Sequence, residues 1–240
     1  MSNGRIESSR TLSASEARNQ ASSLFLAKVF TWMAAGLGLT ALTAFAVAGS
    51  PALVQLIFGN QLLFFGLIIA ELVMVFVLAS RVEKMSAGAA TGLFVAYSVL
   101  NGVTLSVIFL AYTAVSITTT FITTAGMFGG MAVYGLVTKR DLSSWGSFLF
   151  MGLIGIIIAM LVNFFLHSPA LAWAISAIGV IVFTGLTAYD VQNLTRMAAA
   201  GIMESGAAAV RKYAILGALR LYLDFINLFL MLLNFMGERR

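Results

Sequence analysis

"GALRLYLDFINLFLMLLNFM", residues 217–236, reads as a single membrane-crossing helix with a polar seam. About twenty residues at a rise of about 1.5 Å each match the roughly 30 Å of hydrocarbon in a bilayer. Arg220, Asp224, Asn227 and Asn234 follow one another by four, three and seven residues, so they share one face. Leu219, Leu221, Phe225, Phe229 and Leu232 take up the rest of the circumference. Such a seam is costly against lipid tails and faces either protein or a water-filled space. The stretch therefore belongs at the centre of a bundle, with the other spans wrapped around it.

The rest of the chain supplies that wrapping. It is 60% hydrophobic and 10% charged, with a mean hydropathy of +0.99, too little polar surface to cover a water-soluble globule of this size. Six further apolar runs, at 24–48, 61–80, 86–112, 117–138, 145–166 and 170–194, precede the one at 213–236. Their length suits helices, and the alternating ten-residue segments of a membrane barrel are missing. The expected fold is an all-α integral membrane protein of seven transmembrane helices. Residues 1–23 form a polar, Ser-rich tail expected to be loose, 24–236 the single transmembrane domain, and 237–240 a charged tail. The chain has no cysteine, which removes disulfide and thiolate chemistry. Its formal charge of +5 is small, and nucleic acid is not expected as a partner.

Charge placement sets the expected topology. Arg81, Lys84, Lys139, Arg140, Arg196, Arg211 and Lys212 fall at alternate connections, and Arg5, Arg10 and Arg18 in the tail. The connections "AGSPALVQLIFGN", "AYTAVSITT" and "LHSP" hold no Lys or Arg. By the positive-inside rule the N-terminus is cytoplasmic. Arg239 and Arg240 fit that rule only if the last segment does not simply cross.

Three acids lie within apolar runs. Asp190 ("GLTAYDVQNL", 185–194) is near the cytoplasmic end of segment six, and Asp224 is in segment seven. Segments six and seven are joined by residues 195–212 and can run antiparallel, so the two carboxyls can meet. If they do, they share a proton, because like charges close together in a poor dielectric do not both ionise. Singly protonated, the pair clamps two helices; fully ionised, it repels or takes up a hard cation such as calcium. The residues leave a second reading open, in which Asp224 pairs only with Arg220 one turn before it and Asp190 sits at headgroup level. Arg81 is a candidate third partner or a snorkelling, topology-setting residue. Glu71, in the middle of segment two, is either bonded to a neighbouring helix or part of a cation path. Asn101 and Asn163 read as interhelical glue, and His167 as an exposed loop residue. Gly88 and Gly92, then Gly126 and Gly130, are expected to let segments three and four approach their neighbours closely. The hydroxyls of "SITTTFITT" (116–124) are expected to bond back to their own helix.

"FTGLTAYDVQNL" (183–194) with "LRLYLDFINLFLMLL" (219–233) resembles the paired signature of the Bax inhibitor-1 family, the transmembrane Bax-inhibitor-motif proteins. The resemblance continues through "IAELVMVFVLASR" (69–81) and "NGVTLSVIFLAY" (101–112), and so covers the chain after its tail. It implies a central C-terminal helix wrapped by two groups of three helices. It also implies a pH-sensitive calcium leak governed by a hydrogen-bonded aspartate pair, here Asp190 and Asp224, with calcium passing transiently near them. An arginine late in the second helix, closest to Arg81, takes part in that gate. A bacterial member would sit in the cytoplasmic (inner) membrane, with no cofactor beyond calcium as the permeant ion and no enzymatic activity. Two other classes remain open. One is a non-conducting membrane protein that modulates a protease or a cell-death partner. The other is an intramembrane aspartyl protease, disfavoured because no glycine precedes Asp224 where that chemistry needs a close approach of substrate backbone.

Overall fold

The computed structural model describes the backbone of residues 3–240 and the side chains of residue 16 and residues 20–240. Among the described residues nine α-helices follow in order: α1 (Asn3–Ala48), α2 (Pro51–Phe58), α3 (Gln61–Arg81), α4 (Ala87–Leu105), α5 (Val107–Ala111), α6 (Ala114–Val137), α7 (Ser143–Leu166), α8 (Pro169–Ala199) and α9 (Ala207–Met236). Seven stretches are long and apolar enough to cross a bilayer, with α4 and α5 forming one of them and the first beginning at Gln20. Where the sequence predicts a loose tail, the helical backbone instead runs back to Asn3, since no proline or glycine after Gly4 stops it. Most side chains of that tail lie outside the described residues. The connection "AGSPALVQLIFGN" also contains a helix, α2, rather than loop alone.

Local chemistry sets the helix starts. Asn60, Ser86, Thr113 and Ser168 each accept a hydrogen bond from a backbone N–H three residues on, at 3.1–3.3 Å. Both prolines of the chain, Pro51 and Pro169, stand in the first turn of a helix, where a missing N–H costs nothing. Gly201 and Gly206 adopt φ of 90° and 86°, reversing the chain between α8 and α9 in far fewer residues than the 195–212 loop of the sequence reading.

The last helix is the core. In α9, 72% of the membrane-length window is buried, against 6% in α3 and 11% in α7. It packs on α8, α1, α6 and α4. Around it stand two groups of three: α1, α4 and α3, with α4 in the middle, and α6, α8 and α7, with α8 in the middle.

Close helix approach uses other glycines than those expected. Gly88, Gly92, Gly126 and Gly130 are exposed, and a Cβ at any of the last three would meet nothing within 4 Å. The tight contacts with the backbone of a neighbouring helix are at Gly102, where a Cβ would lie 2.6 Å from Thr40 O, and Gly135, where it would lie 2.5 Å from Ala188 O. A four-residue spacing marks a face but not which way that face turns, and here it turns to lipid. Thr123 and Thr124 do bond back to Thr119 O and Thr120 O, at 2.9 and 2.7 Å.

Candidate functional site

Helices α8 and α9 lie antiparallel in one register. Gly217 is beside Leu194, Gly179 is beside Met231, and Asn234 Nδ2 donates to Ser176 Oγ at 2.8 Å. That register brings the carboxyls of Asp190 and Asp224 within hydrogen-bonding reach of each other. Asp224 is 5% exposed, and its Oδ2 has no partner among the described residues. Asp224 is farther along its own helix than Asp190 is from the end of α8, yet the two meet because α9 begins beyond the end of α8. There Lys212 Nζ donates to Glu83 O at 2.8 Å and Tyr213 OH to the Glu83 carboxylate at 3.2 Å.

The pair faces a cleft of about 580 Å³, bounded by Gly146, Ser147 and Phe150 of α7, Tyr189 of α8, and Arg220 and Asn227 of α9. A second cavity, of about 420 Å³, lies toward the other end of α9 and is lined by Tyr112, Asn163, Ser176 and Asn234. Asn227 lines both. The polar seam read from the sequence is thus the floor of two spaces set end to end, since α7 packs on α8 and not closely on α9.

The two ends of the bundle are closed differently. At the basic end, Gln192 clamps the connection between α6 and α7: its Oε1 accepts from Leu142 N at 3.0 Å and its Nε2 donates to Arg140 O at 2.8 Å. Arg196 donates to Asp141 and to Ser143 Oγ, both at 2.7 Å. The Ser143 backbone N–H, with Ser143 Oγ and Arg196, holds the Asp141 carboxyl down at about 2. A depressed carboxyl contributes above its ordinary range and loses that contribution only as pH falls through about 2, so this clasp is insensitive to pH near neutrality. At the opposite end the C-terminal residues dock on the α5–α6 connection: Thr113 N donates to Glu238 O at 3.2 Å and Arg240 N to Ala111 O at 3.0 Å. Arg239 donates to Asn234 Oδ1 at 3.2 Å, and its guanidinium lies 5.8 Å from the Tyr112 ring. Segment seven therefore runs the full height of the bundle, and Arg239 and Arg240 sit with the uncharged loops.

The family profile described as "Inhibitor of apoptosis-promoting Bax1" matches residues 22–240. The chain belongs to the Bax inhibitor-1 family. It is 56% identical over 216 residues to the inner membrane protein YbhL of Escherichia coli strain K12, covering 90% of this chain and 92% of that one. Uncharacterized proteins of Borreliella burgdorferi and Deinococcus radiodurans are 48% and 46% identical, each over 90% of this chain and over 92% and 90% of their own. It is accordingly a multi-pass integral membrane protein similar to an inner membrane protein of a bacterium.

Of the residues that the Bax inhibitor-1 resemblance brings to the gate, the structure unites Asp190 and Asp224 but not Arg81. Arg81 is exposed at the end of the peripheral α3 and lies outside the cleft, and the guanidinium at the acids is that of Arg220. Glu71 lines neither of the two cavities. It accepts from Thr104 Oγ1 at 2.7 Å and from Asn101 Nδ2 at 3.3 Å. Asn101 Oδ1 in turn accepts from Tyr222 OH at 2.9 Å, and Tyr222 OH lies 2.6 Å from Thr40 Oγ1. This chain of side chains ties α3, α4, α9 and α1 together, the glue role expected of Asn101. Tyr222 escaped the sequence reading because it lies off the polar stripe, between Arg220 and Asp224. Tyr222→Phe leaves Asn101 Oδ1 without its donor in a buried site and is expected to cost about 1–3 kcal/mol. A lower unfolding temperature in detergent, with Glu71→Gln as comparison, checks this.

Proposed function

We propose that this protein is a pH-sensitive calcium leak, gated by the Asp190 and Asp224 pair. The observation that carries the reading is the meeting of two carboxyls in the bundle interior, at a cleft that shares Asn227 with a second cavity toward the far end. Two acids within hydrogen-bonding reach act as one titrating unit, in which a shared proton joins α8 to α9 and its loss sets like charges against each other. Calcium suits the site because carboxylate and carboxamide oxygens are hard ligands. Arg220 beside the pair competes with a cation for the same carboxylates, so the ion gains access only when that guanidinium is displaced or shared. In this reading the route follows the α9 seam from Asn234 past Asn227 to Asp224. The family's activity, as the resemblance implies it, points the same way. Purified protein in calcium-loaded liposomes tests the proposal: flux that depends on pH supports it, and none at any pH removes it in favour of a non-conducting role. Incubation with a labelled transmembrane peptide tests the protease alternative.

In this reading the gate lies in the cytoplasmic half of the membrane, the side that the positive-inside rule gives to the basic loops. A cysteine at Ser144, in this cysteine-free chain, is expected to react with an impermeant maleimide only after cells are opened. A cysteine at Ser168 should react in intact spheroplasts. Reversed accessibility would turn the bundle over in the membrane.

A further inference from the structure

Helices α6 and α7 are consecutive, yet each packs on α8 and they barely touch each other. Between them is a groove of about 540 Å³, whose body is formed by Met127, Met131, Val180 and Ile181 and whose basic-loop end holds Arg140 and Trp145. Trp145, Phe148 and Ile181 are exposed, so the groove faces the surrounding lipid. On α8 it runs from Tyr189 to Val180, about 14 Å along the axis and half of the roughly 30 Å of hydrocarbon. That is the reach of one leaflet; a membrane-spanning peptide would need twice as much.

Charge selects among lipids. The Asp141 carboxylate is engaged by Arg196 at 2.7 Å and by Ser143 N at 2.8 Å. The side chains of Arg140 and its neighbour Lys139 are exposed and make no hydrogen bond among the described residues. Trp145 lines the same end of the groove as Arg140, and indoles favour the headgroup boundary. On α8, five residues before Tyr189, Thr184 lines the same groove, its Oγ1 buried and without a partner among the described residues.

We propose that this groove is a binding site for an anionic phospholipid of the leaflet at the basic end. One acyl chain lies along Met127, Met131 and Ile181, and the phosphate is held by Arg140 and Lys139. The inference is independent of the calcium reading. Its occupant would nevertheless border the aspartate pair, because Tyr189 walls both the groove and the cleft and its ring rests on Gly146.

The test uses the chain's own indoles. Of its three tryptophans, Trp32 and Trp173 are replaced by Phe, leaving Trp145 as the fluorophore in phosphatidylcholine vesicles. Brominated-chain phosphatidylglycerol should quench Trp145 half-maximally at a mole fraction at least about fivefold below that for brominated phosphatidylcholine. Arg140→Gln, at an exposed position that leaves folding intact, should reduce that preference by about fivefold, the contribution of one basic side chain near a membrane surface. Thr184→Phe, which fills the groove, should weaken quenching by both lipids, provided its circular dichroism and melting match those of the parent. Equal quenching by the two lipids, or an undiminished preference in Arg140→Gln, overturns the proposal. So does occupation by a second copy, seen as cross-linking through the groove with no quenching by either lipid.

Discussion

If the protein is the proposed calcium leak, Asp190→Asn and Asp224→Asn are each expected to flatten the pH dependence of its flux, and the double variant to add little to either. The expectation follows from the two carboxyls lying within hydrogen-bonding reach between α8 and α9. Groups coupled by more than about one pK unit, a tenfold factor, titrate as a unit and not as two residues. Replacing one with an amide keeps the shape and a hydrogen bond but removes the repulsion, so the survivor no longer senses its partner. Wild-type flux should vary by about tenfold or more across the neutral range, and each single variant by about twofold or less. Because the acids act together, the effects are not additive, and a double-mutant cycle in liposomes reads the coupling directly. Wild-type pH profiles in both single variants would reduce the pair to a packing contact. Arg220→Gln separates the guanidinium from the pair: it should shift the profile along the pH axis while leaving it steep, since the acid–acid coupling survives.

The largest effect on folding is expected at Gly135. A Cβ there would lie 2.5 Å from Ala188 O and 3.1 Å from Ala188 Cα, both backbone atoms that cannot rotate aside. Gly135→Leu must therefore push α6 away from α8 only two residues from Asp190. Overpacking of this kind costs about 3 kcal/mol, at the upper end for a well-packed interior. The variant should lose most of its monodisperse, folded yield in detergent, and what survives should have lost its pH response. Gly130→Ala is the control on the same helix, where a Cβ meets nothing within 4 Å and melting should be unchanged or slightly raised. Equal melting of the two variants would contradict the close approach of α6 to α8.

Hydropathy along the chain was enough to place the spans. Six of the seven begin within four residues of the expected positions, and the seventh, α9, starts six residues early. The reason is that insertion is a property of each segment against one solvent: about twenty apolar residues either satisfy the hydrocarbon or do not. The same logic made α9 central, because Arg220, Asp224, Asn227 and Asn234 on one face had to turn away from lipid, and it marked Asp190 and Asp224 as a candidate pair. Partnership between helices is a different quantity, fixed by rotation and register, and those are set by contacts between residues distant in the sequence. Gly217 against Leu194 and Gly179 against Met231 hold α9 where the two acids meet. Those contacts put Arg220 at the pair, left Arg81 outside the cleft, and turned Gly126 and Gly130 to lipid while Gly102 and Gly135 took the close approaches. The role of Gln192 as the clamp on the α6–α7 connection, and the docking of the C-terminal arginines on the uncharged end, belong with these. Hydropathy orders residues along the membrane normal; only packed helices decide which of them face one another.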